Sequence, residues 1–292
     1  MVGSTSSCGL SPRRGGYSRL REHLEALYSQ YNRPEFIHPD PLECVYRFAD
    51  ASDREIVGLI ASSLAFGGVK QIVASIGVVL TRLENTPSSI SRLSETELRR
   101  VCAGFKHRYA TGEDLFQLLK GVKNAVAEFG SLNACFMVGY IRGNDTVIPA
   151  LTAFVSRLRE RDPRPRNFLL PIPSDGSACK RLHMYLRWMV RRDAVDPGVW
   201  EGISPSQLIV PVDTHMFRMA KLLGFTSRSQ GDLRAAQEIT AAFAQITPQD
   251  PVRYDFALTR LGIRSDTTGY KSLATYRALS QGESAVKARS AE

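Results

Sequence analysis

The sequence predicts an all-α fold, and three observations carry that prediction. Apolar residues recur at i, i+3, i+4 and i+7 in one segment after another, the stripe of a helix with one buried face. Those segments are bracketed by capping residues at their starts and by glycine or proline at their ends. No stretch alternates apolar and polar residues over a useful strand length. The chain has 292 residues with 43% hydrophobic composition, enough for one large domain or two lobes with an ordinary core.

Residues 1–16, rich in Ser, Gly, Pro and Arg, read as a disordered basic arm. Leu20, Leu24, Leu27 and Tyr31 give a first amphipathic helix over Tyr17–Tyr31. Pro34, Pro39 and Pro41 predict an extended connector. Ser52-x-x-Glu55 reads as a capping box in front of Ile56, Leu59 and Ile60. That helix ends at Leu64-Ala65-Phe66-Gly67-Gly68, and Val69, Ile72, Val73, Ile76 and Leu80 form the next. The basic-aromatic cluster Phe105-Lys106-His107-Arg108-Tyr109 precedes a helix capped at Thr111, striped by Leu115, Leu118, Leu119 and Val122 and stopped by Gly130. A helix over Ile148–Leu158 runs into five arginines within residues 157–166, a run that reads equally as a solvated face or as a phosphate contact. Leu182, Tyr185, Leu186 and Met189 stripe a helix that begins near Lys180. Residues 191–208, rich in Asp, Pro, Gly and Ser, read as an inserted loop. Met216, Phe217, Ala220 and Leu223, ended by Gly224, follow Asp213; a helix through Leu233, Ala236, Ile239 and Phe243 comes next. Asp250-Pro251 is expected to open a last helix that Gly262 closes, ahead of a polar tail over 281–292.

The formal net charge is +9 and the isoelectric point about 9.5, which favours a polyanionic partner, nucleic acid or an anionic membrane surface. No apolar run is long enough to span a bilayer, and the N-terminus lacks a signal-peptide core. The cysteines at 8, 44, 102, 135 and 179 are dispersed and odd in number, so no disulfide framework, zinc site or other metal cluster is expected and a reducing cytoplasm is the natural setting.

Two residues carry the chemistry. Asp213 stands where a helix N-cap belongs, and capping alone would account for it. Lys180 stands in the first turn of the preceding helix, where the positive end of the helix dipole opposes a cation. Opposing the ammonium form favours the free amine that nucleophilic catalysis needs, although a solvated lysine would account for this position as well.

The segment Ile172-Pro173-Ser174-Asp175-Gly176-Ser177-Ala178-Cys179-Lys180, taken with Pro211-Val212-Asp213-Thr214-His215, resembles the helix-hairpin-helix DNA glycosylases, the superfamily of endonuclease III and 8-oxoguanine glycosylase. Gly176 and Ala178 fall at the two hairpin glycines, Lys180 at the catalytic lysine and Asp213 at the catalytic aspartate. Gly176–Leu182 with Leu186–Arg191 is most similar to an uncharacterised bacterial branch. The chain departs from the parent pattern in keeping one glycine of the pair, in an Ile-Pro step two residues further from it, and in a spacing of 33 positions from lysine to aspartate.

The resemblance implies a two-lobed helical fold. A barrel-like lobe with the hairpin spans 50–190, residues 17–49 and 205–280 make the second lobe, and the active site lies in the cleft between them. It implies an enzyme without cofactor that acts as a monomer on double-stranded DNA at the nucleoid. Lys180 would attack C1′ of a flipped nucleotide and form a Schiff base that permits strand cleavage, while Asp213 would orient the attack and stabilise charge on the sugar. It implies DNA contacts at Gly176, Ser177, Ala178, Arg181, Arg187, Arg191, His215, Arg218, His107 and Arg108. Leu64 or Phe66 would wedge into the stack, with Gly67 allowing close backbone approach. Core burial accounts equally for Leu64 and Phe66, and solvation for most of the arginines. The excised base stays open between an oxidised base and a hypermodified phage base, the latter making the protein a defence enzyme. A non-catalytic DNA-binding protein on the same scaffold is the alternative in another class, and a helical enzyme for small phosphorylated molecules is a third.

Overall fold

The computed structural model describes residues 14–160, 162, 164 and 167–263. Among them the fold is all-α apart from one two-stranded hairpin, β1 (Lys106–His107) and β2 (Ala110–Thr111), paired antiparallel with His107 opposite Ala110. The helices are α1 (Arg14–Tyr31), α2 (Ala51–Ser63), α3 (Val69–Arg82), α4 (Glu95–Cys102), α5 (Gly112–Phe129), α6 (Leu132–Met137), α7 (Ile148–Leu158), α8 (Lys180–Val190), α9 (Thr214–Leu222), α10 (Leu233–Ile246) and α11 (Asp255–Ile263). Local chemistry explains many of their ends. Thr111 and Asp114 form a reciprocal capping box on α5, and Gly130 ends that helix at φ 84°. Ser94 and Glu97 do the same for α4, a helix the sequence reading passed over.

Helix α5 is the hub of one region, with α4, α6 and α7 packed around it. Helix α2 packs on α8, while α1 from the start of the chain lies against α10 and α11. Buried residues from all of these helices join in one continuous apolar core. The four described cysteines are buried free thiols.

Several expectations change. Helix α1 begins at Arg14, inside the stretch read as a basic arm; residues 1–13, 264–280 and the tail 281–292 lie outside the described residues. The proline connector is not extended, because it folds into 3-10 turns over Pro34–Phe36 and Pro41–Arg47. Helix α2 is capped by Asp50, whose side chain accepts from Ser52 N, so Glu55 is released from the expected capping box. Glu55 turns inward instead, accepting from Leu132 N, Asn133 N and Trp200 Nε1 at 2.8, 3.0 and 2.9 Å. Helix α11 starts at Asp255 rather than at Pro251 and passes through Gly262 to Ile263. No helix among the described residues is long and apolar enough to cross a membrane.

Candidate functional site

Helix α8 begins directly at Lys180, because Cys179 before it takes a left-handed turn at φ 42°. Its predicted stripe is buried: Leu182, Tyr185, Leu186 and Met189 are all within 1% of full burial. Asp213 caps α9, its Oδ1 accepting from Met216 N at 2.8 Å, and Gly224 follows that helix at φ 74°. These helix starts bring Lys180 and Asp213, distant in sequence, onto one cavity of about 370 Å³. Phe66 and Gly67 from the α2–α3 loop, Met184 of α8, Pro211, and Phe256 of α11 complete much of its wall. Lys180 makes neither a hydrogen bond nor an ion pair to any described residue, and both Lys180 and Asp213 are half-buried.

The cavity is also lined by two ion pairs, Arg187–Asp255 and Arg260–Asp40. Burial pushes the Asp255 carboxyl above its ordinary range; Asp213 adds to the rise, while Arg187 and Lys180 oppose it. Arg187 also pairs with Asp196 at 3.2 Å, and Arg191 pairs with Asp193, Asp196 and Asp250. Four carboxylates therefore surround two guanidiniums. The excess negative charge is accommodated where burial is deepest, and burial raises Asp196 to about 6. Arg187 and Arg191 were expected at the DNA or in solvent and are at neither: both are 4% exposed and held by carboxylates.

Residues 191–208 are likewise not a loose insertion. Gly198 N and Trp200 N donate back to the α8 carbonyls of Trp188 and Met189, and the Trp200 ring packs against Tyr185, Phe136 and Phe154. The segment supplies Asp193 and Asp196 to the arginines and Trp200 to the core.

Opposite this wall lies the α2–α3 loop. Leu64 is fully buried and therefore no wedge. Phe66 is half-buried, edge-on to the His107 imidazole at 4.6 Å and to the Phe168 ring at 4.9 Å. His107 is buried, its ring nitrogens paired with Ser75 Oγ at 2.8 Å and the Phe66 carbonyl at 3.0 Å, and burial holds its imidazole below the ordinary range. It anchors the β-hairpin rather than reaching for a ligand. Gly67, at φ 101°, is covered by the Arg108 side chain: a Cβ there would lie 2.7 Å from Arg108 Cδ. The exposed Arg108 thus lies across the loop that lines the cavity.

Lys180 also borders a second, wider cavity of about 700 Å³, whose lining includes Tyr109, Phe168 and Arg181. Arg181 donates to the carbonyls of Ser63 and Phe168, and its guanidinium lies 5.1 Å from the Phe66 ring centre and 4.7 Å from that of Phe168. It pairs with no described carboxylate, and burial lowers its guanidinium to about 10. Gly176, Ser177 and Ala178 form the approach to α8. The Gly176 amide is already used, donating to Pro173 O at 3.1 Å, and Ser177 Oγ accepts from Cys179 N at 3.3 Å. A helical hairpin is not formed here: the turn is preceded by a three-residue 3-10 segment, Pro173–Asp175, and the nearest upstream α-helix ends at Leu158.

His215 and Arg218 sit exposed on α9, on a separate hollow with Phe217 and Lys221. In the arginine run, Arg164 is tied to Asp162 and Asp114, and Arg157 lies 6.0 Å from the Phe129 ring centre; Arg161 and Arg166 lie outside the described residues. Asp40, Asp255 and Arg260 were not anticipated at the site. Nothing local marks them, because their roles are fixed by partners far away in the chain.

A family model matches residues 40–264, most of the chain and every residue lining the 370 Å³ cavity but Pro39. The chain belongs to the family described as protein of unknown function, DUF2400. This corrects the glycosylase membership that the lysine and aspartate motifs suggest, since no helix-hairpin-helix glycosylase family matches. The missing helix before the turn and the engaged Gly176 amide are consistent with that correction. No curated protein and no solved structure matches the chain. Among the described residues no cluster of His, Cys, Asp and Glu could hold a metal ion.

Proposed function

We propose that this DUF2400 protein is a DNA-processing enzyme that draws a nucleotide out of the helix and breaks its N-glycosidic bond. In this reading the α1/α9–α11 group and the α2–α8 group act as two lobes around the bound DNA. The observation that carries it is the pairing of an unengaged amine, Lys180, with a carboxylate, Asp213, on one cavity. A chain of net charge +9 suits a polyanionic substrate. At about 370 Å³ the cavity falls within the range of small-ligand sites, and its Phe66 and Phe256 rings suit the flat face of a base.

The chemistry assigns one role to each group. Lys180 Nζ attacks C1′ of the everted nucleotide through its lone pair, and the C1′–N bond breaks with its electron pair leaving on the base, which takes up a proton. Asp213 accepts the proton lost by the amine and stabilises the positive charge developing on the sugar. Opening of the C1′–O4′ bond, with O4′ taking a proton, gives a protonated imine on Lys180. Loss of a C2′ proton then expels the 3′ oxygen and cuts the strand. Since Asp213 Oδ1 is used by the cap, Oδ2 is the oxygen assigned to the substrate.

The test is base release and nicking on a panel of duplexes carrying oxidised or bulky modified bases. Wild type should release at least one of these bases. Asp213→Asn, which keeps the cap, should bind the same duplex and lose most excision; equal excision by that variant removes Asp213 from the mechanism.

A further inference from the structure

The second cavity adds a ligand that the excision chemistry does not require. Its rim includes Tyr109, at the tip of the β-hairpin, and Phe168. Tyr109 is 73% exposed and Phe168 46%, high values for rings this large. Arg108 lies 5.5 Å from the Tyr109 ring centre, and Arg181 backs the Phe168 ring.

The charge of this surface is unbalanced. Lys180 and Arg181 face the cavity with no carboxylate hydrogen-bonded or ion-paired to either among the described residues, whereas Asp114 on its wall is neutralised by Arg164. The one further acid there is the exposed Asp175. A cavity with rings on its rim and unpaired cations within suits a ligand that is both flat and anionic.

We infer that this surface binds the unpaired DNA strand next to the everted nucleotide, with a base stacked on Tyr109 and Phe168 and the adjoining phosphate on Arg181. The inference rests on the nucleic-acid reading of the Lys180 cavity. Single-stranded DNA is the ligand because a duplex hides its base faces, whereas rings exposed beside guanidiniums meet bases that are already unstacked. The shared border at Lys180 makes the two cavities consecutive stations along one strand. Gly67 fits the same picture, since its lack of a side chain lets the Arg108 side chain of the hairpin tip pack against the loop that lines the first cavity.

The experiment is fluorescence anisotropy of the full chain with a labelled oligothymidylate and with a blunt duplex of the same length. Neither carries a base to excise, so the result does not depend on catalysis. Wild type should bind the single strand with affinity that falls steeply with salt. Tyr109→Ala and Phe168→Ala should each weaken single-strand binding about 5- to 150-fold, the range for one lost base–ring stack. Duplex affinity should change by less than about two-fold, and Tyr109→Phe should retain single-strand binding. Unchanged single-strand affinity in both alanine variants, or equal losses on single strand and duplex, would overturn the inference and leave the excision reading standing. Failure of wild type to bind either DNA would overturn both.

Discussion

Three arginines on or next to one helix meet opposite fates. Arg187 and Arg191 are buried among Asp193, Asp196, Asp250 and Asp255, where they tie α8 to the following segment and to α11. Arg181, six residues before Arg187, has two backbone carbonyls and two aromatic rings but no carboxylate. All three look alike in sequence. The difference teaches that counter-ions, not arginines, separate scaffold from binding surface: a guanidinium already matched by carboxylates has little left for a ligand, and one without them invites an anion.

The sharpest way to break that comparison is to remove one arginine from each class. Arg187→Leu strands Asp255 and one side of Asp196 in the interior, and should lower unfolding free energy by about 3–5 kcal/mol in urea denaturation. Arg181→Gln loses hydrogen bonds to carbonyls and a stacked guanidinium, so its cost should be about 1–2 kcal/mol, while its affinity for single-stranded DNA falls. Equal destabilisation by the two variants would erase the distinction.

A smaller effect sharpens it through pH. The Asp196 carboxyl is raised to about 6 by burial from an ordinary value of 3.8, so the folded state holds its proton more tightly than the unfolded chain. Its contribution is therefore most stabilising below about 4 and is lost as pH rises through about 6. The difference in stability between wild type and Asp196→Asn should shift against wild type between pH 4 and 6 and flatten above that. A difference independent of pH would remove the excess-carboxylate account of the cluster.

What could be read from the sequence was what local chemistry decides. Ile148–Leu158, the Thr111 cap, the Gly130 stop and the Asp213 cap are each set by residues within one or two turns, and all are found as expected. Glu55 shows where this ends. Its spacing from Ser52 mimics a capping box, yet Asp50 takes the cap and Glu55 serves donors 77 or more residues away. The same holds at the site. Lys180 and Asp213 could be singled out because each sits at a helix start, whereas Asp40, Asp255 and Arg260 depend on pairings no local pattern announces. Residues 191–208 misled by composition, since their Asp, Pro and Gly serve ion pairs and a tight return onto α8 rather than an open loop. Tyr109 lay in a basic-aromatic cluster already visible in the sequence; its exposure, which gives it a role, was not.

The account depends most on Lys180 acting as a nucleophile, and borohydride trapping tests that directly. Wild type incubated with lesion-bearing DNA and reductant should yield a covalent protein–DNA adduct whose attachment maps by peptide mass to Lys180, and Lys180→Gln should yield none. An adduct formed equally well by Lys180→Gln, or mapped to another residue, would contradict it.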